Sequence, residues 1–193
     1  PDRTSDLTSA LRKYPDLIFE GHSTDYQLPG TFDRLVRDGI AVLKVGPALT
    51  FAYREALVLL ERIEDALTDK GAITSPSKLT QILGSVMLDN PEYWQKHYAG
   101  SDREKRFARL YSYSDRCRYY WTHTEVRKAA NTLIANLTST GIPEVLLSQF
   151  FIEEYESLRR RDIRPEELIH RRIRRALLPY FTACGYRAHS SSG

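Results

Sequence analysis

Residues 17–20 read LIFE and residues 40–45 read IAVLKV, and these two short apolar runs decide the fold. Both are rich in strand-forming residues. The first opens into Gly21-His22-Ser23-Thr24-Asp25 and the second into Gly46-Pro47, so each run ends in turn chemistry. Between them, residues 31–38 place Phe32, Leu35 and Val36 on one helical face, introduced by Pro29-Gly30 and ended by Gly39. Upstream, DLTSALRKY at residues 6–14 is a short helical pattern stopped by Pro15. Downstream, a long helix is expected over residues 48–67, with Phe51, Leu57, Leu60, Ile63 and Leu67 at helical spacing and Asp69-Lys70-Gly71 closing it. Helix and strand thus alternate with short connections, which implies a parallel sheet covered on both faces. Two parallel strands do not make a stable sheet by themselves. The reading therefore expects further strands upstream of Pro1, and takes residues 1–72 as the last two β/α units of a parallel barrel.

From Pro76 onward no segment reads as a strand. Residues 77–89, 91–99, 102–111, 124–138, 143–161 and 165–184 carry helical periodicity, separated by Asn-Pro, Gly-Ser, Thr-His and Gly-Ile-Pro breakers. Residues 73–187 are accordingly expected to form an all-helical C-terminal domain, making the chain mainly helical overall. The closing residues 188–193, Ala-His-Ser-Ser-Ser-Gly, read as a tag-derived tail and stay outside the functional argument.

Composition narrows the function classes. Of 193 residues, 41% are hydrophobic and 27% charged, ordinary for a globular protein. The net charge of +3 is too mild to argue for nucleic acid. No apolar run approaches the roughly 20 residues a membrane crossing needs. Cys117 and Cys184 are isolated thiols that build neither a disulfide framework nor a zinc site, so a reducing, cytoplasmic setting is expected.

Four stretches could carry chemistry. The first is FEGHSTDYQ, residues 19–27: loops after strand ends build the active sites of β/α barrels, and Glu20, His22 and Ser23 would sit there. Equally, Ser23, Thr24 and Asp25 could form a turn that caps the next helix. One histidine and one glutamate are too few for zinc. In the second, LKVGPALT at residues 43–50, a strand turns at Gly46-Pro47 into a helix whose free N–H groups suit a phosphate oxygen, with Lys44 adding charge. An ordinary turn with proline at the first helical position fits as well.

The third is LYSYSDRCRYYW, residues 110–121. Ser112, Ser114, Arg116 and Arg118 alternate with aromatics, and arginine forks match phosphate geometry. Basic residues interleaved with aromatics also suit nucleic acid. A packed interface, with arginines paired to Asp102, Glu104 or Asp115, fits the same composition. The fourth, the arginine run at residues 159–175, is surrounded by Glu153, Glu154, Glu156, Asp162, Glu166 and Glu167 and reads as a solvated helix face. His97, His123 and His170 lack metal-ligand spacing. No GxxxxGK[ST] loop is present.

Together FEGHSTDYQ, AVLKVGPALTFAYREAL, RLYSYSDRCRYYW, LLSQF and LLPYFTACG resemble the Z-type subunit of D-tagatose-bisphosphate aldolase, relatives of which are also labelled tagatose-6-phosphate kinase. The resemblance runs over residues 17–185 and matches only the C-terminal part of such a subunit. It implies a class II aldolase-like TIM barrel with an added helical domain. It also implies a supporting role beside a zinc-dependent catalytic subunit, in galactitol and N-acetylgalactosamine breakdown. Catalytic relatives carry a histidine-glycine-alanine-serine turn and a lysine-valine-asparagine turn. Here Glu20-Gly21-His22-Ser23 and Lys44-Val45-Gly46 stand in their place, so the ligand histidine is either replaced by Glu20 or displaced to His22, and Gly46 has no side chain to offer. The resemblance thus favours a non-catalytic subunit that retains a phosphorylated-ketose site at Glu20, His22, Ser23, Lys44 and Gly46, with Ser112, Ser114, Arg116 and Arg118 closing over it. A divalent metal enters by analogy alone. An independent aldolase or sugar-phosphate kinase is the alternative. Neither nucleic acid nor membrane is expected as a partner, and self-association is left open.

Overall fold

The structure is a computed structural model and describes residues 3–11, 13–28 and 30–186. The readings at Pro1, Pro29 and the 188–193 tail lie outside these residues. By packing, the chain forms two units. One comprises Pro1–Leu49 with Arg174–Gly193, the other Thr50–Ile173. The segments 1–72 and 73–187 expected from the sequence follow the change in secondary structure, whereas these units follow packing.

The first unit contains helix α1 (Arg3–Leu11), strand β1 (Phe19–Gly21), helix α2 (Thr31–Arg37) and strand β2 (Ile40–Leu43). β1 and β2 pair in parallel, with Phe19 opposite Ile40, Glu20 opposite Val42 and Gly21 opposite Leu43, and an irregularity between Phe19 and Glu20. The return from α2 to β2 passes through Gly39 at a φ of 89°, a left-handed conformation that favours glycine. Phe32 of α2 is buried, its ring centroid 4.3 Å from that of Tyr180. Tyr180 lies near the end of helix α9 (Pro165–Ala183), whose last turns complete this unit. The expectation of a sheet covered on both faces is not met within the described residues. Ile18 is 67% exposed and Val42 37%.

The second unit is helical: most of α3 (Ala48–Asp69), then α4 (Leu79–Asp89), α5 (Asp102–Tyr111), α6 (Thr124–Thr140), α7 (Glu144–Phe150), α8 (Ile152–Leu158) and the start of α9. Its core is one cluster. Leu57, Leu60, Ile63 and Leu67 of α3 meet Leu79, Leu83, Val86 and Met87 of α4 and Val126, Leu133 and Leu137 of α6. Each such side chain contributes roughly 1.5–3 kcal/mol on burial. Two carboxylates of α3 organise the entry to α4. Glu64 accepts from the Ser77 N–H at 2.9 Å and from the Asn136 amide at 2.6 Å, while Glu61 accepts from the Thr80 N–H at 3.0 Å. The Thr80 N–H lies in the first turn of α4, where a helix leaves its donors without intrahelical partners.

Two expected helices are interrupted. Residues 91–99 hold only a short 3-10 turn, Pro91–Tyr93. Trp94 leaves helical geometry at φ −123°, buries its ring and donates its indole N–H to the Met87 carbonyl at 2.5 Å. The single helix expected over residues 143–161 is broken at Phe151, which is fully buried at φ −122° and ψ 54°. Among the described residues no helix is long and apolar enough to cross a membrane.

Candidate functional site

In the first unit, pairing of Gly21 with Leu43 brings the carboxyl ends of both strands level, and the Lys44 N–H extends the ladder to the Gly21 carbonyl at 2.9 Å. Three of the expected residues meet there. Glu20 Oε1 lies 2.5 Å from His22 Nε2 and 2.6 Å from Lys44 Nζ. All three side chains reach solvent, at 36%, 67% and 51% exposure. Hydrogen bonding from Lys44 holds the Glu20 carboxyl below the usual glutamate range, aided by the charges of Lys44 and His22. Ser23 is exposed beside them in a left-handed conformation, φ 53°.

The Gly46 turn is arranged differently from an open phosphate cradle. The Asp25 carboxylate accepts from the Gly46 N–H at 2.9 Å through both oxygens, and from the Ala48 N–H at 2.9 Å. It therefore caps α3, 21 and 23 residues downstream, rather than the next helix, α2. A Cβ at Gly46 would stand 2.5 Å from Asp25 Oδ2, so glycine is what lets the carboxylate in. Thr24, between these two groups, is buried. Its hydroxyl donates to the Lys44 carbonyl at 2.9 Å and hydrogen-bonds the Tyr180 hydroxyl at 3.1 Å. Burial raises the Tyr180 phenol above its ordinary value. Asp25 and Tyr180 were missed as organisers of this end because both act over long sequence distances. Their one local trace is that each lies inside a family-resembling motif.

The remaining expected residues lie in the second unit, in the loop after α5. Asp115, at φ 48° and 1% exposed, anchors it. Its Oδ1 lies 3.0 Å from Arg54 Nε of α3, and Arg54 also bonds the carbonyls of Leu110 and, at 3.2 Å, Ser112. The Cys117 thiol donates to the same carboxylate oxygen at 3.2 Å, and burial pushes that thiol well above its ordinary value. The Ser112 and Ser114 hydroxyls are 3.0 Å apart, with the Tyr98 hydroxyl 3.1 Å from Ser114. Arg118 donates to the carbonyl oxygens of Ser114 and Asp115 and lies over the Tyr119 ring at 4.5 Å. Arg116 bonds His97 Nδ1 at 3.2 Å. Ser112, Ser114 and Arg118 are thus engaged in fixing the loop.

The expected pairing of Asp115 with an arginine is met, by Arg54 of α3, whereas Glu104 takes another partner. It closes the α5 capping box by accepting from the Ser101 N–H at 2.7 Å. The arginine run does behave as a paired face: Arg171 lies 2.9 Å from Glu167 and Arg172 3.6 Å from Glu153.

The strand-end cluster does not fit the zinc that the resemblance suggests. Glu20 and His22 are two donors already joined to each other, Lys44 adds a positive charge beside them, and among the described residues no group of three or more His, Cys, Asp or Glu side chains could hold a metal ion. What the cluster can do is present a cation and an imidazole, steadied by one carboxylate, to a polar anionic ligand.

A solved structure of a probable tagatose 6 phosphate kinase from Sinorhizobium meliloti 1021 is 41% identical to this chain and superposes with a TM-score of 0.83, over 94% of this chain and 47% of that one. The chain thus spans about half the length of that solved protein. The family described as D-tagatose-1,6-bisphosphate aldolase subunit GatZ/KbaZ-like matches residues 1–185. With the match extending over both packed units, the chain belongs to the D-tagatose-1,6-bisphosphate aldolase subunit GatZ/KbaZ-like family.

Proposed function

We propose that the protein is a supporting, non-catalytic subunit of a cytoplasmic D-tagatose-1,6-bisphosphate aldolase in galactitol and N-acetylgalactosamine breakdown. It would keep a phosphorylated-ketose site at the carboxyl ends of β1 and β2 and work beside a catalytic subunit. The observation that carries this reading is the convergence of Glu20, His22 and Lys44 at adjacent parallel strand ends, the place where β/α folds bind ligands, in a chain of this family. The exposed apolar residues Ile18 and Val42 support placing this strand pair in a larger barrel.

Lys44 meets the phosphate, His22 donates a hydrogen bond, Ser23 offers a hydroxyl, and Glu20 keeps the lysine aimed. Gly46 enters only when a phosphate displaces the Asp25 carboxylate from its N–H. Ser112, Ser114 and Arg118 are left out because their polar groups are engaged within their own loop. The donor set lacks the metal ligands of a class II aldolase, which favours support over catalysis. The solved Sinorhizobium relative, described as a probable tagatose 6 phosphate kinase, favours a kinase as the second reading. This chain carries no phosphate-cradling GxxxxGK[ST] segment to support it.

The test is a coupled aldolase assay on tagatose bisphosphate with the full-length protein, the catalytic subunit, and both. Activity in the mixture above that of the catalytic subunit alone is expected, with weaker ketose-phosphate binding by Lys44→Met in calorimetry. Cleavage, or ATP-dependent phosphorylation of tagatose 6-phosphate, by this protein alone would overturn the proposal.

A further inference from the structure

A groove of about 530 Å³ runs between α4 and α5 of the helical unit. Gly84, Ser85 and Leu88 line one side and Arg106, Arg109 and Leu110 the other. Among the described residues no carboxylate lines it. Arg109 is 6% exposed, with its guanidinium over the Trp94 ring at 4.6 Å. Burial, then the neighbouring Arg106, pulls the Arg109 pKa down, and Asp102 only partly offsets this. Arg106 is exposed, and Leu88 is 56% exposed although it is a large apolar side chain. Positive charge and apolar surface therefore sit side by side.

Gly84 supplies an independent observation. It stands in the middle of α4, where glycine is a poor helix former, and a Cβ built there would meet nothing within 4 Å. Packing inside this chain does not call for a glycine. Its effect is to leave the groove floor low enough for another backbone to approach closely.

We propose that this groove docks an acidic segment of a partner protein, which lays an apolar side chain on Leu88 and Leu110 and directs carboxylates to Arg106. Charge complementarity selects the occupant: the exposed Arg106 guanidinium and no lining carboxylate favour an anionic segment. The apolar surface beside them would stay uncovered by a simple anion. The inference is independent of the strand-end ketose site.

The test is fluorescence anisotropy on the full-length protein with a labelled amphipathic peptide of glutamate and leucine at helical spacing. Its lysine-for-glutamate counterpart serves as the control. Arg106→Glu and Gly84→Gln should each weaken binding about tenfold, the scale of an interface hot spot, while Arg127→Glu on the exposed face of α6 leaves it unchanged. Gly84→Gln replaces glycine by a better helix former, so circular dichroism should show the fold retained. Equal weakening by all three variants, absence of peptide binding, binding unaffected by Arg106→Glu and Gly84→Gln, or displacement of the peptide by inorganic phosphate at matched ionic strength would each overturn the proposal.

Discussion

Asp25 and Gly46 illustrate how one side chain can decide what a turn is for. The carboxylate takes the N–H groups of Gly46 and Ala48, and Gly46 is bare because a methyl there would collide with it. Removing the cap in Asp25→Ala should cost about 1 kcal/mol, the usual scale for a helix N-cap, read as a shift in denaturant midpoint. Gly46→Ala should be at least as damaging, since the added Cβ expels the same carboxylate. Because both changes break one interaction, the double variant should be no less stable than the worse single, a strongly non-additive cycle. Additive losses would show that the two residues act separately. Glu20, His22 and Lys44 were legible in the sequence because strand ends are local features, whereas the Asp25 cap spans 21 residues and leaves no periodic trace.

Among the elements, the α3–α4 connection offers two tests. Burial raises the Glu61 carboxyl above its ordinary value, and the Thr80 N–H only partly opposes this. The folded protein therefore holds that proton to higher pH than the unfolded chain, so this group's contribution to stability falls as pH rises from the usual glutamate value through the raised one. Glu61→Gln keeps an oxygen for the Thr80 N–H and removes the desolvated charge. Denaturation curves above that window should show it at least as stable as the parent and flatter with pH. In α4 itself, Gly84→Ala should stabilise by up to about 1 kcal/mol, because the new methyl meets nothing and alanine favours the helix. A lower melting temperature would show that the open space is needed by the fold. Most helices were readable from apolar spacing. The break at Phe151 was not, because Leu147, Phe151 and Leu158 stay buried at spacings that one continuous helix would also give. The truncated 91–99 segment was hidden for a related reason: Trp94 follows the Met87 carbonyl, a tertiary partner that periodicity does not reveal.

For the molecule as a whole, thiol chemistry separates surface from interior. Cys184 is exposed, while Cys117 is fully buried with its thiol pushed up by burial. A thiol reagent at mildly alkaline pH should therefore titrate one group in the native protein and the second only after unfolding. Two fast thiols would mean that the Arg54–Asp115–Cys117 loop opens readily. The division into packed units was the least legible property. The pattern of strands and helices placed a change of character near residue 72, yet the last turns of α9 belong with the strand pair, through contacts between residues far apart in the chain. The Thr24–Tyr180 hydrogen bond spans 156 residues, and this sets an order of events during synthesis. At roughly 5–20 residues per second, the ribosome delivers Tyr180 about 8–30 s after Thr24. Until then the nascent strand pair lacks its aromatic partner, while much of the helical unit has already emerged. The strand pair is thus completed only after most of the helical unit has been made, and a chain cut short before Tyr180 leaves Thr24 without this partner.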